Sequence, residues 1–308
     1  MEINMKNMKK VGLSALAGAL AFTSAHAGDV SISGSMIASY TKKGGYGTNG
    51  NPLGMNKELT VAASGELDNG VSVAYKQTIT NAMAYNDSEL VFTGVPMMGD
   101  ATLALTSTGD PMSAIDDVTP IAFEEASAAV GSLKDVNGID GTYGVRYTLA
   151  DVAGSGMTID GMYTPRHSTG DAQAEKGTSG QTNHAKDGYS VVVKGSVPGV
   201  DGLDMGVGYA ILNNTTTTAT DRDQTEGTAY AKYSYGGLSV GGQKGVVDVA
   251  GTSEAQYHNE YIGVSYAIND DLSISYNNYE SDQLGTTKTT AEASSNLARY
   301  DGVKYGFR

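Results

Sequence analysis

Short segments in which apolar and polar residues alternate fill most of the chain, and this period of two limits the fold more than any other feature. In the segment 30–40, the even positions are apolar and the odd positions are mostly hydroxylic. Alternation of this kind gives a strand one apolar face and one polar face. The sequence therefore predicts β-structure from residue 30 onward.

The clearest pair of segments flanks the turn Asp68, Asn69 and Gly70. Alternating apolar residues lead into the turn from Leu59 and away from it from Val71. An Asn-Gly pair between two alternating runs is the strongest local signal for a β-hairpin. Similar pairs of segments recur to the end of the chain, and we predict about fourteen strands, the last over 297–307.

The connections between the predicted strands alternate between tight turns and long polar loops. The long loops are predicted at 43–57, 80–88, 108–140, 164–187, 213–227, 247–256 and 280–295. Outer-membrane barrels sort their connections in this way, with short turns on one side and long loops on the other. We therefore predict an all-β fold, an antiparallel transmembrane β-barrel formed by residues 28–308.

Residues 1–27 have the order of a secretory signal peptide. Lys6, Lys9 and Lys10 precede an apolar run over 11–22, and the small-residue pattern of Ala25 and Ala27 follows. That order predicts cleavage after Ala27. The apolar run is too short for a transmembrane helix, which needs about 20 residues. The signal predicts export, which is consistent with a barrel that inserts in an outer membrane.

Charge and cysteine content exclude two further classes of protein. The chain has 34 Asp and Glu against 20 Lys and Arg, for a net charge of -14, and a pI of about 4.6. Nucleic-acid binding requires clustered basic residues, so no nucleic-acid partner is expected. The chain has no cysteine, so disulfide bonds cannot contribute to its stability.

Tyrosines recur near the ends of the predicted strands and share the apolar register. Aromatic residues form girdles at both membrane interfaces of a transmembrane barrel. Tyr also favours strands in general, which accounts for part of their number. The members of this set are Tyr40, Tyr75, Tyr147, Tyr163, Tyr189, Tyr209, Tyr235, Tyr266 and Tyr276.

The loop 108–140 is the longest and the most acidic. Thr119, Pro120 and Gly131 bracket a partly apolar segment as an N-cap, a first-turn proline and a stop, which predicts a short helix. Such a segment fits a loop folded into the mouth of the barrel better than a flexible external loop. The loop carries one base, Lys134, and seven acids: Asp110, Asp116, Asp117, Glu124, Glu125, Asp135 and Asp140.

Four bases share the polar register of their strands and are candidates for the pore wall: Lys76, Arg146, Lys194 and Lys232. Acids on the loop and bases on the wall would set a transverse field at the narrowest point, and clusters of charge select among ions in pores. Because the acids outnumber the bases, we expect the channel to prefer cations. The other interpretation is that these are ordinary solvated charges on a wet wall.

The signal peptide, the strand count, the alternating loops and the inward loop after the fifth strand together resemble the general diffusion porins of Gram-negative outer membranes, of the alphaproteobacterial type. The resemblance covers residues 28–308 and depends on architecture. It implies a sixteen-stranded homotrimeric barrel, a third loop that constricts each pore, and passive flow of small hydrophilic solutes and ions. In that pattern Asp116, Asp117, Glu124 and Glu125 match the acidic part of the constriction loop.

The end of the chain departs from this family. Porin barrels usually end on an aromatic residue, whereas here Arg308 follows Phe307, and about fourteen strands are predicted in place of sixteen. The alternatives are a smaller barrel and a fragment that lacks its last hairpin, and we expect the fragment.

Two other function classes stay open, an outer-membrane barrel enzyme and a secreted β-rich adhesin. The pattern Gly237, Ser239 and Gly241 matches the serine-hydrolase motif, but it lies in a hairpin arm and no strand-to-helix turn is predicted there. We therefore expect no enzymatic activity, no catalytic residue and no cofactor. Surface calcium at 135–140 or 221–226 is kept as an alternative to solvated loops, although neither segment has the EF-hand spacing.

Overall fold

The computed structural model describes residues 30–40, 53–79, 85–106, 109–121, 134–139, 143–167, 185–214, 223–249, 256–270, 272–284 and 289–300. The predicted signal peptide, all but the first residues of the predicted helix in the long loop, Glu124 and Glu125 lie outside these ranges. The chain divides into two compact units, one that ends at Gly94 and one that begins at Val95.

The N-terminal unit is a run of antiparallel strands in which each pairs with the next along the chain. The Asn69 carboxamide accepts a hydrogen bond from the Val71 amide at 3.2 Å, and Gly70 adopts a φ of 82°. The hairpin predicted at this Asn-Gly pair is therefore confirmed. The strands are β1 (Val30–Tyr40), β2 (Leu53–Glu66), β3 (Ser72–Ile79) and β4 (Tyr85–Thr93).

The C-terminal unit is a longer meander of the same kind, and each of its strands pairs antiparallel with its sequence neighbour. A short 3-10 helix, Val152–Gly154, lies in the turn between its second and third strands. The strands are β5 (Thr102–Thr106), β6 (Gly144–Leu149), β7 (Met157–Thr164), β8 (Ala185–Ser196), β9 (Leu203–Asn214), β10 (Gln224–Tyr235), β11 (Leu238–Asp248), β12 (Gln256–Ala267), β13 (Leu272–Leu284) and β14 (Thr289–Tyr300).

The two faces of this second unit differ sharply, as the period of two requires. One face, called the apolar face below, carries exposed aliphatic and aromatic side chains that include Val145, Tyr163, Val191, Tyr209, Tyr233, Val240, Ile262 and Tyr276. The opposite face, called the loop-bearing face, carries buried side chains, among them Ser190, Val192, Ala210, Glu226, Gln243, Asn259 and Asn277. An unusual arrangement results, because the large apolar residues lie outside and the polar ones are buried.

The strands extend further into polar sequence than the alternation of apolar residues indicates. The predicted loop 280–295 is wrong, because β13 continues to Leu284 and β14 begins at Thr289. The last strand was expected to start at residue 297. The physical reason is that the ladder is made of backbone groups, so polar pairs such as Glu280 opposite Glu292 continue the sheet. No helix within the described ranges is long and apolar enough to cross a membrane.

The turn between β8 and β9 provides a test of backbone packing. Gly199 and Gly202 both have a left-handed φ, of 78° and 81°. A Cβ on Gly202 would lie 2.1 Å from the Ser234 carbonyl oxygen, whereas a Cβ on Gly199 meets nothing within 4 Å. We expect Gly199→Ala to cost about 1 kcal/mol, the conformational penalty alone, and Gly202→Ala to cost clearly more. Urea unfolding of the two refolded variants measures the difference, and equal midpoints would contradict this packing.

Candidate functional site

Two segments of the long loop between β5 and β6 lie against the loop-bearing face. The first, residues 109–121, is called the first arm, and the second, residues 134–139, the second arm. Their contacts reach β8, β10, β11, β12 and β13, so the loop lies across most of this face.

Asp110 joins both arms to the wall. Its side chain is 1% exposed and accepts hydrogen bonds from the Met112 amide at 2.6 Å, the Ile139 amide at 2.9 Å and the Ser190 hydroxyl at 2.9 Å. Gly138 passes so close that a Cβ there would lie 2.5 Å from the Asp110 carboxylate, and its φ of 64° also favours glycine. The carboxylate therefore acts as an anchor within the loop.

Glu226 on β10 holds the second arm. It is 1% exposed, and its Oε2 accepts the Asn137 and Gly138 amides, each at 2.7 Å. Its other oxygen accepts the Gln224 carboxamide, whose own oxygen accepts the Lys134 ammonium at 2.7 Å. Hydrogen bonds to an ionised acceptor are among the strongest in proteins, so this contact fixes the turn of the second arm.

Three amide side chains from successive strands complete the attachment. Gln243 on β11 accepts the Val118 amide at 2.9 Å and donates to the Ile115 and Asp116 carbonyls at 2.7 Å.

The other two amides also donate hydrogen bonds to the loop. Asn259 on β12 donates to the Lys134 carbonyl at 3.1 Å, and Asn277 on β13 donates to the Thr119 hydroxyl at 2.8 Å. Loop backbone that lies against a wall needs such partners, because unpaired buried amides are costly.

An apolar cluster lies between the arms and the wall. Met112, Ile115 and Val136 of the loop pack with Val192, Ala210, Leu212, Tyr230 and Val247 of β8 to β11. Glycines make room for it: a Cβ on Gly208 would lie 2.5 Å from the Met112 sulfur and 2.8 Å from Ile115 Cδ1. The wall is thus shaped to receive the first arm.

Arg146 on β6, one of the predicted wall bases, anchors the start of the first arm. Its guanidinium forms a bidentate ion pair with Asp160 on β7 and donates to the Gly109 carbonyl at 2.8 Å. Asp160 is 1% exposed and also accepts the Thr148 hydroxyl at 3.0 Å. The positive charge of Arg146 is therefore neutralised locally.

The remaining predicted site residues lie in different settings. Lys194 is half-buried on β8, and Lys232 lies 3.7 Å from the Asp204 carboxylate on the loop-bearing face. Lys76 lies on β3 in the N-terminal unit, opposite Glu89.

Asp116 and Asp117 are half-buried in the first arm. The Asp117 amide donates to the Asp116 carboxylate at 3.0 Å. The structure thus places Asp110, Asp116 and Asp117 in one arm whose start is held by Arg146.

Burial changes the ionisation of the loop groups. Burial raises the pKa of Asp110 to about 6 against the opposing effect of its three donors. Burial likewise raises the pKa of Asp135 and lowers the pKa of Lys134. The charged forms of these groups are therefore held at a cost that their hydrogen bonds and, for Lys134, the charge of Glu226 offset only in part.

Sequence analysis missed Glu226, Gln243, Asn259 and Asn277 as functional residues. Glu226 lies in the segment 213–227 that we predict as an external loop, with surface calcium at 221–226 as an alternative, although it has the same parity as Tyr230 and Lys232 on β10 and so shares their face. This shared register is the sequence signal that could have placed Glu226 on the polar face of its strand.

The polar groups of this site attach the long loop to the strands. The buried polar side chains bind loop backbone, and among the described residues no group of three or more His, Cys, Asp or Glu could hold a metal ion. What this arrangement provides is a loop fixed across one face of a strand meander, with the opposite face apolar. A transmembrane pore with an internal loop has these features.

The comparison with protein families decides the identity. The family model described as Gram-negative porin matches residues 12–301. The chain belongs to the Gram-negative porin family. It is an all-β outer-membrane barrel that acts as a diffusion channel, so the expected fold class and family are confirmed, and the family implies a channel rather than an enzyme. Transmembrane barrels of the porin type are polar inside and apolar outside, so the loop-bearing face corresponds to the lumen side of such a barrel and the apolar face to its lipid side.

One solved structure agrees on the fold. OmpF of Salmonella typhi in complex with daunomycin aligns with a TM-score of 0.53 at 10% identity, covering 87% of this chain and 85% of that one. Two mutants of the Rhodopseudomonas blastica porin align at 16% identity and a TM-score of 0.41, covering 88% of this chain and 99% of theirs. No curated protein matches the sequence of this porin.

The space that Gly208 leaves for the first arm can be tested by adding one methyl group. We expect Gly208→Ala to push Met112 and Ile115 away from the wall, at a cost of about 1–3 kcal/mol for overpacking. Gly227→Ala is the control, because its Cβ would make only ordinary contacts, with Tyr209 Cδ2 at 3.8 Å and the Gly208 carbonyl oxygen at 3.9 Å. Hydrogen exchange of the Ile115 amide should accelerate in the first variant alone, and single-channel conductance should fall. Equal exchange rates in the two variants would contradict the packing of Met112 and Ile115 against Gly208.

The raised pKa of Asp110 predicts a pH dependence of the loop. Burial raises the pKa of this carboxyl from 3.8 to about 6, so the bound loop holds the proton more tightly than the free loop does. The resulting stabilisation of the bound loop is fully present below pH 4 and is lost as the pH rises through 6. The loop bound to the loop-bearing face should be more stable at pH 4 than at pH 7.5, by at most about 3 kcal/mol.

Hydrogen exchange measures this, after correction for intrinsic rates. Protection of the Met112 and Ile139 amides should decrease as the pH rises, and Asp110→Asn should remove the change. Protection that increases with pH, or a pH dependence that survives in Asp110→Asn, would refute the role of Asp110.

Proposed function

We propose that this porin passes small hydrophilic solutes and ions passively, with a preference for cations. The observation that carries the proposal is the attachment of both arms to one face of the sheet by side chains from six strands, β6, β8, β10, β11, β12 and β13. This attachment supports a constriction that is held in place and bears acidic residues.

The balance of charge near the loop supports the preference for cations. Of the wall bases, Arg146 is paired with Asp160 and Lys232 lies 3.7 Å from Asp204, so much of the positive charge on the wall is offset. Of the loop acids, Asp110 is buried and bound by three donors, which leaves Asp116, Asp117 and Asp135 as the described acids that are partly accessible. Charges separated by less than the Debye length, about 8 Å at physiological salt, act on a passing ion with little screening.

We further infer that the mature protein begins after Ala27 and assembles as a homotrimer in the outer membrane. The order of residues 1–27 supports the cleavage, and the porin family supports the assembly. Mass spectrometry of the protein from the outer membrane and sedimentation in detergent test these two points separately.

A barrel enzyme is the alternative function, and its strongest candidates are the histidines. Among the described residues, His167 contacts the Asn213 carbonyl at 2.6 Å and His258 contacts the Gln256 carboxamide at 2.9 Å. Neither contact joins a histidine to a Ser, Asp or Glu side chain, as a general base would need. The arrangement therefore favours the channel.

The selectivity can be tested in a planar bilayer with a salt gradient. We expect ohmic single-channel steps and a reversal potential of cation sign. Replacing both Asp116 and Asp117 by Asn should lower the ratio of cation to anion permeability about two- to fivefold, because two charges near the ion path are worth up to about 1 kcal/mol.

The matched control replaces Asp201 and Asp270, which lie exposed in the short turns at the other end of the strands, by Asn. This variant removes the same charge and should leave the ratio nearly unchanged. An anion-sign potential in the wild-type channel would overturn the proposed preference. Equal effects of the two double variants would remove its assignment to the loop.

A further inference from the structure

The dipeptide Asn-Gly occurs three times in the chain, at 49–50, 69–70 and 137–138. The last two copies lie in the described part of the chain, and the first lies outside it. An asparagine before glycine is chemically labile, because glycine has no Cβ to hinder attack of its backbone nitrogen on the asparagine side chain. The two described copies share this chemistry and differ in what surrounds the glycine nitrogen.

The reaction is intramolecular and consumes only water. The glycine nitrogen bonds to the asparagine Cγ, the Cγ–Nδ2 bond breaks, and ammonia leaves with the proton of the glycine amide. Water then opens the cyclic imide at either carbonyl, which gives aspartate or isoaspartate. The product carries a new carboxylate, and isoaspartate also adds a methylene to the backbone. Ring closure requires the glycine amide to leave its hydrogen-bond acceptor and the asparagine backbone to rotate.

The copy at Asn69 lies in the turn between β2 and β3. Both of its residues are exposed, and a Cβ on Gly70 would meet nothing within 4 Å. The Gly70 amide donates to the Leu67 carbonyl at 2.8 Å, within an exposed turn where local opening is easy. The glycine nitrogen can therefore reach the asparagine side chain without displacing any packed residue.

The copy at Asn137 is held in place, although its asparagine is also exposed. The Gly138 and Asn137 amides both donate to Glu226 Oε2, each at 2.7 Å. Gly138 is buried, and the Asp110 carboxylate fills the space beside it, 2.5 Å from where a Cβ would lie. Ring closure at this copy therefore requires the second arm to leave β10.

The charge of Glu226 adds to this restraint. Its side chain is 1% exposed, so water does not compete for the oxygen that accepts the two amides, and bonds to an ionised acceptor are stronger than neutral ones. Above neutral pH the attacking nitrogen is deprotonated, and a carboxylate 2.7 Å away raises the energy of that anion. The Leu67 carbonyl, the acceptor in the exposed turn, is neutral and has neither effect.

We propose that Asn69 is a site of spontaneous deamidation in the folded porin and that Glu226 protects the same dipeptide at Asn137. Deamidation of Asn137 would add a negative charge to the second arm, whose amides bind the Glu226 carboxylate, and isoaspartate would lengthen that arm. Both changes oppose the attachment of the loop. Glu226 therefore preserves the covalent structure of the segment that it holds.

The inference depends on the hydrogen bonds of the second arm and on no assumption about ion selectivity. The quantity measured is the rate of a covalent change at two asparagines. Failure of the proposed cation preference would leave this inference unaffected, and its own failure would leave the channel function unaffected.

The experiment follows both asparagines in one sample. The refolded full-length protein is incubated in detergent at mildly alkaline pH, digested, and analysed by mass spectrometry for conversion of the amide to a carboxyl. The same protein in denaturant gives the intrinsic rate of each site, which removes the effect of sequence neighbours. We expect Asn69 to convert within about tenfold of its denatured rate, and Asn137 at least about a hundredfold more slowly than its own.

Glu226→Gln removes the charge and keeps the shape of the side chain. Because a neutral acceptor bonds less strongly, Asn137 should convert at least about threefold faster in this variant, with Asn69 unchanged. The matched control is Glu260→Gln, which removes an exposed carboxylate of β12 that pairs with Lys244 and should change neither rate. The mobility of the unboiled protein in gels checks the folding of both variants.

Three outcomes would overturn the proposal. Comparable protection of Asn69 and Asn137 in the folded wild type would remove the difference between the two copies, and this comparison needs no variant. A folded Asn69 that does not convert would show that the turn is not a modification site. Unchanged conversion of Asn137 in folded Glu226→Gln would show that the charge of the carboxylate does not protect it.

Discussion

The structure depends first on the pairing of backbone groups in hydrocarbon. A strand that crosses a bilayer has no water to bond its amides and carbonyls, so every such group needs a partner on a neighbouring strand. The antiparallel ladders of both units provide those partners, and polar residues at the ends of β13 and β14 pair as regularly as apolar ones. Because the backbone alone makes the ladder, the side chains of the two faces are free to serve different purposes.

The lumen face uses that freedom to hold a loop. Small residues such as Gly208 create space, and Glu226, Gln243 and Asn259 present donors and acceptors to loop backbone. Asn277 donates to the Thr119 hydroxyl of the loop. The role of each loop acid then follows from its partners. Asp110, surrounded by three donors, is structural, whereas Asp116 accepts one local amide and stays partly accessible. Acidic residues a few positions apart in one loop therefore have different functions.

Much of the fold could be predicted from the sequence, because its signals are local. The hairpin at Asn69 and Gly70 and the apolar register of Tyr163 and Tyr209 depend on neighbours two or three positions away. The attachment of the loop could not be predicted in the same way. Glu226 and Asn277 bind residues 88 to 158 positions distant, and no short pattern records such a pairing. The alternation of faces identified where these side chains point, and the loop that they bind became known only from the structure.

The two faces of this porin also limit how its properties can change. A substitution at Gly208 alters the space under the first arm of the loop, and one at Gly161 alters the apolar face, although both glycines lie in neighbouring parts of the same meander. Since a strand presents successive residues to opposite faces, a shift of one position exchanges lumen for lipid. Ion selectivity and lipid contact can therefore vary separately only while the register of each strand is kept. That register is set by the pattern of apolar side chains and by the short turns, and the backbone bonds then hold it.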